Sequence, residues 1–239
     1  MKLLTIILYL SVVYACGDIE LESPNIAEEN DYLSQLKEEL VKEWPDSKTL
    51  NIVFHGHSVP SGYFRTPHVN TLAAYPHLFL KYLKENYQTA VINSITTSIG
   101  GEQAEQGSMR FKNDVLTLKP DLLFIDYALN DRRLGLVKAE KAWRSMIEDA
   151  INAQVKIVLL TPTPDLSEDI LDDDTPLQRH TDMIRELGKE YKIPVVNVYS
   201  KFKALKKEGR DIADFMSQGN HPNEKGHEIV LNEIVNELF

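Results

Sequence analysis

A short stretch at residues 51–60, NIVFHGHSVP, places two histidines and a serine within four positions, directly after an apolar run. His55 and His57 have the i, i+2 spacing of residues on one face of a strand, and such a pair could hold a metal ion. Ser58 could instead be the nucleophile of an acyl-transfer reaction. The two possibilities predict different enzymes.

The metal interpretation is the weaker one, because a catalytic zinc ion ordinarily takes three protein ligands. The sequence around this stretch offers no further His or Asp at metal-ligand spacing, and His68 and His77 lie farther along the chain. His55 belongs to an apolar run, where a buried and hydrogen-bonded histidine is the simpler expectation. We therefore expect neither a metal ion nor an organic cofactor.

Ser58 has possible partners in three later segments of the chain. Acyl transfer requires a base that takes the proton of the nucleophile and N–H donors that face the oxyanion. His221 can be the base, since imidazole titrates near neutral pH. Gly101 can present an unshielded backbone N–H, and Asn130 can supply a side-chain amide. Together these residues predict an acyl-transfer site.

The segments that carry these residues resemble, in order and spacing, the four blocks of the SGNH, or GDSL-like, hydrolases. This family includes lipases, esterases and carbohydrate deacetylases on a flavodoxin-like sheet. The resemblance implies that Ser58 is the nucleophile and His221 the base, and that the Ser58 backbone N–H forms the oxyanion hole with Gly101 and Asn130. The segments are HGHS, SIGGEQAEQG, ALND and QGNHPNEKGH, within about residues 50–239.

Three residues depart from the family pattern, since His57, Ala128 and Gln218 stand where Asp, Gly and Asp are usual. Only Gln218 bears on mechanism, because a carboxylate three residues before His221 would orient the imidazole and stabilise its cation. Two explanations are open. Ser58 and His221 could work as a dyad, with the imidazole held by a backbone carbonyl or by Gln218, or the site could bind its ligand without catalysis. Another acid could replace the missing one, and the candidates are Asp131, Asp165 and Asp214.

Five apolar, β-rich runs alternate with helical spacings from residue 50 onward. Near-continuous apolar strands favour a parallel sheet covered on both faces, and the alternation favours right-handed crossovers. In such sheets the chemistry lies beyond the carboxyl ends of the strands. With the resemblance, this predicts a flavodoxin-like three-layer α/β/α fold with a five-stranded parallel sheet. The runs are LNIVFH, AVINSI, DLLFIDYAL, VKIVLLT and PVVNVY.

The composition is that of an ordinary globular chain of 239 residues with 43% hydrophobic content. Its formal net charge is −10, and no block of Lys and Arg occurs. Because binding to nucleic acid depends on clustered basic residues, we expect no nucleic-acid partner.

The N-terminal residues predict export. Residues 3–13 form an almost unbroken apolar run with the length of a signal-peptide core, too short to span a bilayer. Cys16, the only cysteine, follows in VVYACGD, which resembles a bacterial lipobox, although an incidental thiol beside a conventional cleavage site is the alternative. We expect an exported protein held at the membrane of the cell envelope by a lipid anchor. The predicted parts are a signal peptide (1–15), an anchored acidic tether with a helix (16–47) and the SGNH hydrolase domain (48–239).

The predicted function is a serine esterase that removes a small acyl group, most simply acetyl, from a carbohydrate through an acyl-enzyme. This substrate class is based on the envelope location and the family resemblance. The alternatives are a lysophospholipase or thioesterase of the same fold and a catalytically impaired glycan-binding lipoprotein. The loop after Ser58 is expected to line the pocket, and Tyr63, Phe64 and Arg65 could contact a sugar or an anion.

Overall fold

Five parallel strands form the central sheet of the computed structural model, which describes residues 32–239. Cys16, the expected signal peptide and most of the acidic tether therefore lie outside the described residues. The strand order is β2-β1-β3-β4-β5, with helices on both faces, and this confirms the predicted three-layer fold. The strands are β1 (Thr49–Gly56), β2 (Val91–Thr96), β3 (Leu122–Asp126), β4 (Lys156–Leu160) and β5 (Val195–Val196).

A two-stranded antiparallel ribbon follows the sheet in the chain and consists of β6 (Met216–Gln218) and β7 (His221–Pro222). Short 3-10 turns occur at Thr71–Ala73, Leu116–Leu118 and Ile212–Phe215. The α-helices within residues 32–239 are α1 (Ser34–Leu40), α2 (Ser58–Ser61), α3 (Tyr75–Asn86), α4 (Ala104–Asp114), α5 (Ala128–Asp131), α6 (Leu136–Asn152), α7 (Pro176–Tyr191), α8 (Val198–Lys207) and α9 (Glu224–Leu238).

The core consists of two apolar clusters, one on each face of the sheet. Ile52 and Phe54 face the cluster covered by α3 and α9, whereas Val53 faces the cluster covered by α4 and α6. This division follows from the strand geometry, in which successive side chains point to opposite faces. The central strands are therefore almost wholly apolar, as their sequences predicted.

The edges of the sheet differ from the predicted strands. β2 is exposed or half-buried along its length, because nothing in the described chain pairs with its outer side. β5 has only two residues, since Asn197 leaves the extended conformation and Val198 already begins α8. The predicted PVVNVY run is thus a short strand followed by the first turn of a helix.

Helix α1 packs against the domain rather than standing apart from it. Leu33, Leu36 and Leu40 are buried in the first apolar cluster. Tyr32 contributes its hydroxyl oxygen, which accepts a hydrogen bond from the Ile157 N–H at 2.9 Å. Among residues 32–239, no helix is both long enough and apolar enough to cross a membrane.

Two histidines are buried in the core and are neutral at physiological pH, because burial lowers the pKa of each to about 4. The Nε2 atom of His55 is 3.2 Å from the Gly107 carbonyl, which can only accept, so this nitrogen carries the proton. His227 accepts the Tyr75 N–H through Nδ1 at 3.3 Å. Both contacts agree with core histidines that support packing.

We expect the free energy of unfolding to fall as the pH is lowered from about 6.5 to about 4. The unfolded chain binds protons at the ordinary histidine pKa of about 6.5, whereas folded His55 and His227 do so only near 4. The stability that the two neutral histidines contribute above the histidine pKa of the unfolded chain is therefore lost as the pH falls through this window. His227→Asn keeps an acceptor near the Tyr75 N–H but cannot titrate.

Urea unfolding of wild type and His227→Asn at both ends of this window measures the effect. Between the two pH values, the free energy of unfolding of the variant should fall by roughly 3 kcal/mol less than that of wild type. A pH dependence identical to that of wild type would contradict the assignment, whatever the absolute stability of the variant.

Candidate active site

Ser58 and His221 meet at the carboxyl end of β1. The distance from Ser58 Oγ to His221 Nε2 is 2.9 Å, although the residues are 163 positions apart in the chain. Both residues are largely buried, with 6% of each exposed to solvent. The pair has the contact that proton transfer between a serine and its base requires.

The turn that displays Ser58 depends on the glycine at the end of β1. A Cβ atom at Gly56 would lie 2.3 Å from the Asp126 carbonyl oxygen, so only glycine allows the two strands to approach here. His57 then caps α2, because its Nδ1 atom accepts the Val59 N–H at 3.2 Å. Ser58 is the first helical residue, whose N–H has no intrahelical acceptor. Its hydroxyl and its N–H are both available beyond the strand.

His57 also faces a buried carboxylate on the neighbouring strand. Its Nε2 atom lies 3.4 Å from Asp126 Oδ1, and Asp126 Oδ2 accepts the Tyr75 hydroxyl at 3.0 Å. This nitrogen makes no hydrogen bond of normal geometry with any described residue. A carboxyl group from β3 therefore lies beside the turn of Ser58, although residue 57 itself is a histidine.

The ribbon of β6 and β7 holds His221 in place. The Ser217 hydroxyl lies 2.7 Å from the Phe64 carbonyl oxygen and 3.0 Å from that of His221, which ties the ribbon to the loop after α2. The imidazole packs against the Tyr63 ring, with 5.9 Å between the ring centroids. Asn223 begins α9 directly afterwards by accepting the Gly226 N–H at 3.1 Å.

Gln218 contacts the second ring nitrogen of His221. Its Nε2 atom lies 2.8 Å from His221 Nδ1, and its Oε1 atom accepts the Thr66 backbone N–H at 3.0 Å. Because a backbone N–H can only donate, it fixes the amide with its oxygen toward Thr66 and its nitrogen toward the ring. An amide nitrogen in this position donates to Nδ1, so the neutral ring would carry its proton on Nε2.

A proton on Nε2 is the wrong one for a general base, which must offer a lone pair to Ser58. The opposite tautomer, with the proton on Nδ1, is the one that a general base needs. The nearby Phe64 carbonyl would favour it, since this carbonyl stabilises the protonated ring and raises its pKa. Gln218 and Phe64 therefore favour opposite tautomers of His221.

The pKa of His221 is lowered below its ordinary value. Burial is the main cause, the hydrogen bond to the Phe64 carbonyl opposes it, and the proximity of His57 lowers the pKa further. Desolvation acts in this direction because it disfavours the charged form of an imidazole. The ring is therefore neutral at neutral pH, as a base must be.

Two of the three candidate acids have other partners, and the third is exposed. Asp131 accepts the Ala104 N–H at 2.8 Å and the Trp143 indole N–H at 2.9 Å. Asp165 pairs with Arg132 at 2.5 Å. Asp214 is exposed in the 3-10 turn before β6. Within residues 32–239, no carboxylate hydrogen-bonds to the imidazole of His221.

The two proposed oxyanion donors lie after β2 and β3, on either side of β1. Gly101 has a φ of +80°, a left-handed conformation that suits glycine, in a turn closed by the Glu102 N–H and the Ile99 carbonyl at 3.2 Å. Asn130 lies in α5 and donates one of its two amide hydrogens to the Glu102 carbonyl at 3.0 Å. The other hydrogen remains for a substrate.

The loop of residues 62–70 forms one wall of the site. Tyr63 lies over Gly100, where an added Cβ would be 2.9 Å from the tyrosine ring, and it also touches His221. Phe64 contributes its backbone carbonyl, whereas Arg65 is exposed and makes no ion pair with the described residues. Of the three loop residues singled out from the sequence, two therefore contact the proposed catalytic groups.

Sequence reasoning missed a group of charged and polar side chains beneath the Gly101 loop. Glu102 is buried and pairs with Arg110, and the Tyr127 hydroxyl donates to the same carboxylate. Glu102 follows directly after the glycine pair, which was the available signal. Tyr127 gave none, because it belongs to an apolar run and is indistinguishable there from a core aromatic.

Comparisons with known proteins point to one family and one set of folds. A profile of the GDSL-like lipase/acylhydrolase family matches residues 54–229. No curated protein matches the chain significantly. Among solved structures, a two-domain esterase active on acetylated mannans has a TM-score of 0.71 at 18% identity. This match covers 86% of the present chain and 52% of the esterase, so the chain spans about half the length of that protein.

A second similar structure is an acetylxylan esterase from Geobacillus stearothermophilus, with a TM-score of 0.67 at 19% identity, covering 82% of this chain and 95% of that one. Catalytic mutants of that esterase alter a serine, an aspartate and a histidine. Its aspartate and histidine stand three positions apart, which is the separation of Gln218 and His221 in this chain.

We expect Gln218→Glu to raise kcat for a nitrophenyl acetate at least about tenfold. The upper limit is the factor of about 10⁴ in kcat by which a serine protease with Asp in its triad exceeds the variant with Asn. Glutamate has the shape of glutamine, so one oxygen can keep the hydrogen bond from the Thr66 N–H while the other accepts a hydrogen bond from His221 Nδ1. The lone pair of Nε2 then faces Ser58. Steady-state kinetics of the purified variant measure the gain.

The same variant should move the acid limb of the kcat/KM profile to higher pH. Activity requires neutral His221 and is lost as the pH falls through its pKa, which a nearby carboxylate raises. Gln218→Met is the control, since it removes the amide without adding charge. A raised acid limb with unchanged kcat would indicate that the productive tautomer already prevails without a carboxylate. An unmoved acid limb would contradict the contact between residue 218 and His221.

Proposed function

The chain belongs to the GDSL-like lipase/acylhydrolase family, and from this premise we propose that it is a serine esterase that removes small acyl groups, acetyl above all, from a carbohydrate. The observation that carries the proposal is the 2.9 Å contact between Ser58 Oγ and His221 Nε2. The contact lies beyond the carboxyl end of a central parallel strand, where sites of open α/β sheets occur.

In the proposed reaction Ser58 Oγ forms a bond to the ester carbonyl carbon while its proton passes to His221 Nε2. The carbonyl oxygen becomes an oxyanion that faces the N–H groups of Ser58 and Gly101 and the amide of Asn130. Collapse of this intermediate breaks the bond to the sugar oxygen, which takes the proton from His221. Water then releases the acyl group by the same steps in a second cycle.

The proton transfers require the His221 tautomer that carries its proton on Nδ1, and the proposed acceptor of the hydrogen bond from Nδ1 is the Phe64 carbonyl. In this form a neutral backbone dipole replaces the carboxylate of a triad. The developing imidazolium is then stabilised less strongly, so the site depends more on its oxyanion donors. Each such donor contributes about 10²–10³ in kcat in a serine protease.

Two observations favour a small acyl group on a sugar. Tyr63 touches both Gly100 and His221, and so narrows the space beside the proposed reacting carbonyl. The similar solved structures include esterases of acetylated mannan and acetylated xylan. At under 25% identity these neighbours establish the fold alone, and the carbohydrate substrate is part of the proposal.

We expect hydrolysis of nitrophenyl esters to be fastest for acetate and to fall steeply with acyl length. Tyr63→Ala should flatten this dependence, because it removes the ring between Gly100 and His221. A wild type that prefers long acyl chains would favour the lysophospholipase or thioesterase alternative. Release of acetate from acetylated xylan or mannan tests the carbohydrate directly.

Labelling with a fluorophosphonate probe separates the esterase from a glycan-binding protein without catalysis. Wild type should label, whereas Ser58→Ala should not, and His221→Ala should label far more slowly. Folding of each variant is checked by its urea unfolding midpoint. A folded wild type that neither labels nor hydrolyses acetate esters would overturn the proposed activity.

We also propose that the protein is exported and carries a lipid anchor on Cys16, with its hydrolase domain at residues 48–239. The support is the apolar run at residues 3–13 followed by the lone cysteine. A diacylated cysteine would bind a bilayer firmly, since each buried methylene contributes about 0.8 kcal/mol.

In a bacterial host, Cys16→Ser should abolish metabolic labelling with radioactive palmitate and move the protein out of the membrane fraction. Wild type serves as the control in the same fractionation. Palmitate labelling that persists in Cys16→Ser would exclude this cysteine as the anchor. A wild type that takes up no palmitate would exclude the anchor itself.

A further inference from the structure

Glu102 is a buried carboxylate that the proposed reaction does not use. Only 7% of the residue is exposed, and three donors hold its side chain. Arg110 approaches both oxygens, with Nε 2.8 Å from Oε1 and Nη2 2.5 Å from Oε2, and the Tyr127 hydroxyl lies 2.7 Å from Oε2. Every acceptor atom of the carboxylate is therefore engaged, which fixes the side chain in one orientation.

These contacts connect both ends of the loop that carries Gly101. Arg110 donates to the Thr97 carbonyl at 2.7 Å, where the loop leaves β2, and to Glu102, where it enters α4. Tyr127 comes from the segment after β3. It fits only because Gly107 lacks a side chain, since a Cβ there would lie 2.3 Å from the tyrosine hydroxyl.

The main chain of Glu102 reaches both proposed oxyanion donors. It follows directly after Gly101, and its carbonyl accepts the Asn130 amide at 3.0 Å. Gln103 adds a second link, because its amide donates to the Asn130 carbonyl at 3.2 Å. A Cβ added to Gly101 would meet nothing within 4 Å, so packing does not hold this end of the loop.

We propose that Glu102, clamped by Arg110 and Tyr127, is the positioning residue of the oxyanion hole and sets the separation between the Gly101 N–H and the Asn130 amide. The inference rests on the proposed function, because it assigns these two donors to the oxyanion. An oxyanion hole acts through donors that are already in place when the charge develops, and misplacement by about 1 Å can cost about 10²-fold in rate.

A purely electrostatic role predicts the opposite sign. Glu102→Gln preserves the shape of the side chain but leaves Arg110 without its main counter-charge. A net positive charge beside the oxyanion hole would stabilise the oxyanion and raise kcat. Loss of position would lower kcat instead. The sign of the change therefore distinguishes the two roles.

The test compares kcat and KM for nitrophenyl acetate in wild type, Glu102→Gln and Asp121→Asn. Asp121 is the matched control, because its carboxylate also joins two segments, binding Lys48 Nζ at 2.6 Å and the Asn51 N–H at 2.8 Å, but at the opposite end of the sheet. We expect Glu102→Gln to lower kcat at least about tenfold with KM within about twofold. Asp121→Asn should leave both constants near the wild-type values.

A double-mutant cycle with Asn130→Ala tests whether Glu102 acts through the donors. If it does, Glu102→Gln should cost much less in the Asn130→Ala background than in wild type, because one donor that it positions is already absent. Additive losses, an unchanged kcat or a raised kcat would each overturn the proposal. So would an equal loss of kcat in Asp121→Asn.

Two further results have defined meanings. If Glu102→Gln does not fold, Tyr127→Phe takes its place. It removes the hydroxyl that contacts Glu102, Arg110 and His55 and keeps the ion pair of Glu102 with Arg110. Its kcat should fall at constant KM, and an unchanged kcat would overturn the proposal. A wild type that neither hydrolyses acetate esters nor labels with fluorophosphonate would overturn the proposed function as well. An active wild type with an unaffected Glu102→Gln would overturn this inference alone.

Discussion

The hydrogen bond between Ser58 and His221 lies at the carboxyl end of β1, which the sheet order places between β2 and β3. Parallel strands end on the same side, so the loops that follow these three strands meet above the end of β1. Gly101 and Asn130 therefore lie in the loops that leave the sheet on either side of β1. The ribbon before α9 brings His221 to the same place from the C-terminal part of the chain, and Ser217 fastens it to the loop after α2. A strand order with β1 at an edge would separate these groups.

The sequence predicted this arrangement because its signals are local. Apolar runs identify strands, helical spacings identify crossovers, and a parallel sheet with such connections has few topologies. Features that depend on the backbone or on distant pairs were out of reach. The Phe64 carbonyl has no sequence signature, and the contact of Glu102 with Tyr127 depends on how two loops meet. Asp131 illustrates the limit, since its position after Asn130 suggested a catalytic acid, whereas in the structure it caps α4.

The buried carboxylates near the site support the backbone rather than the histidine. Asp126 faces His57 under the turn of Ser58, and Asp131 holds the start of α4 together with Trp143. Glu102 holds the loop of Gly101 and the side chain of Asn130. Burying a charge is costly unless it is paired and hydrogen-bonded. All three accept hydrogen bonds, and Glu102 also pairs with the charge of Arg110, so buried carboxyl groups hold the segments that carry the proposed nucleophile and oxyanion donors.

This distribution of charge has a consequence for the transition state of the proposed reaction, in which an oxyanion and an imidazolium would develop together. Near the oxyanion, an unpaired Glu102 carboxylate would oppose the new negative charge. Arg110 neutralises this carboxylate, so the group formed by Glu102, Arg110 and Tyr127 is rigid and close to neutral. Near the imidazolium, the Phe64 carbonyl offers a dipole and no net charge, whereas the Gln218 amide presents its N–H end to Nδ1 and does not stabilise the cation. Neither developing charge therefore has an opposite full charge in direct contact, and stabilisation depends on fixed dipoles. Fixed dipoles act at full strength only when their geometry is held. The contacts that position Gly101, Asn130 and His221 therefore matter more here than they would in a site with a complete triad.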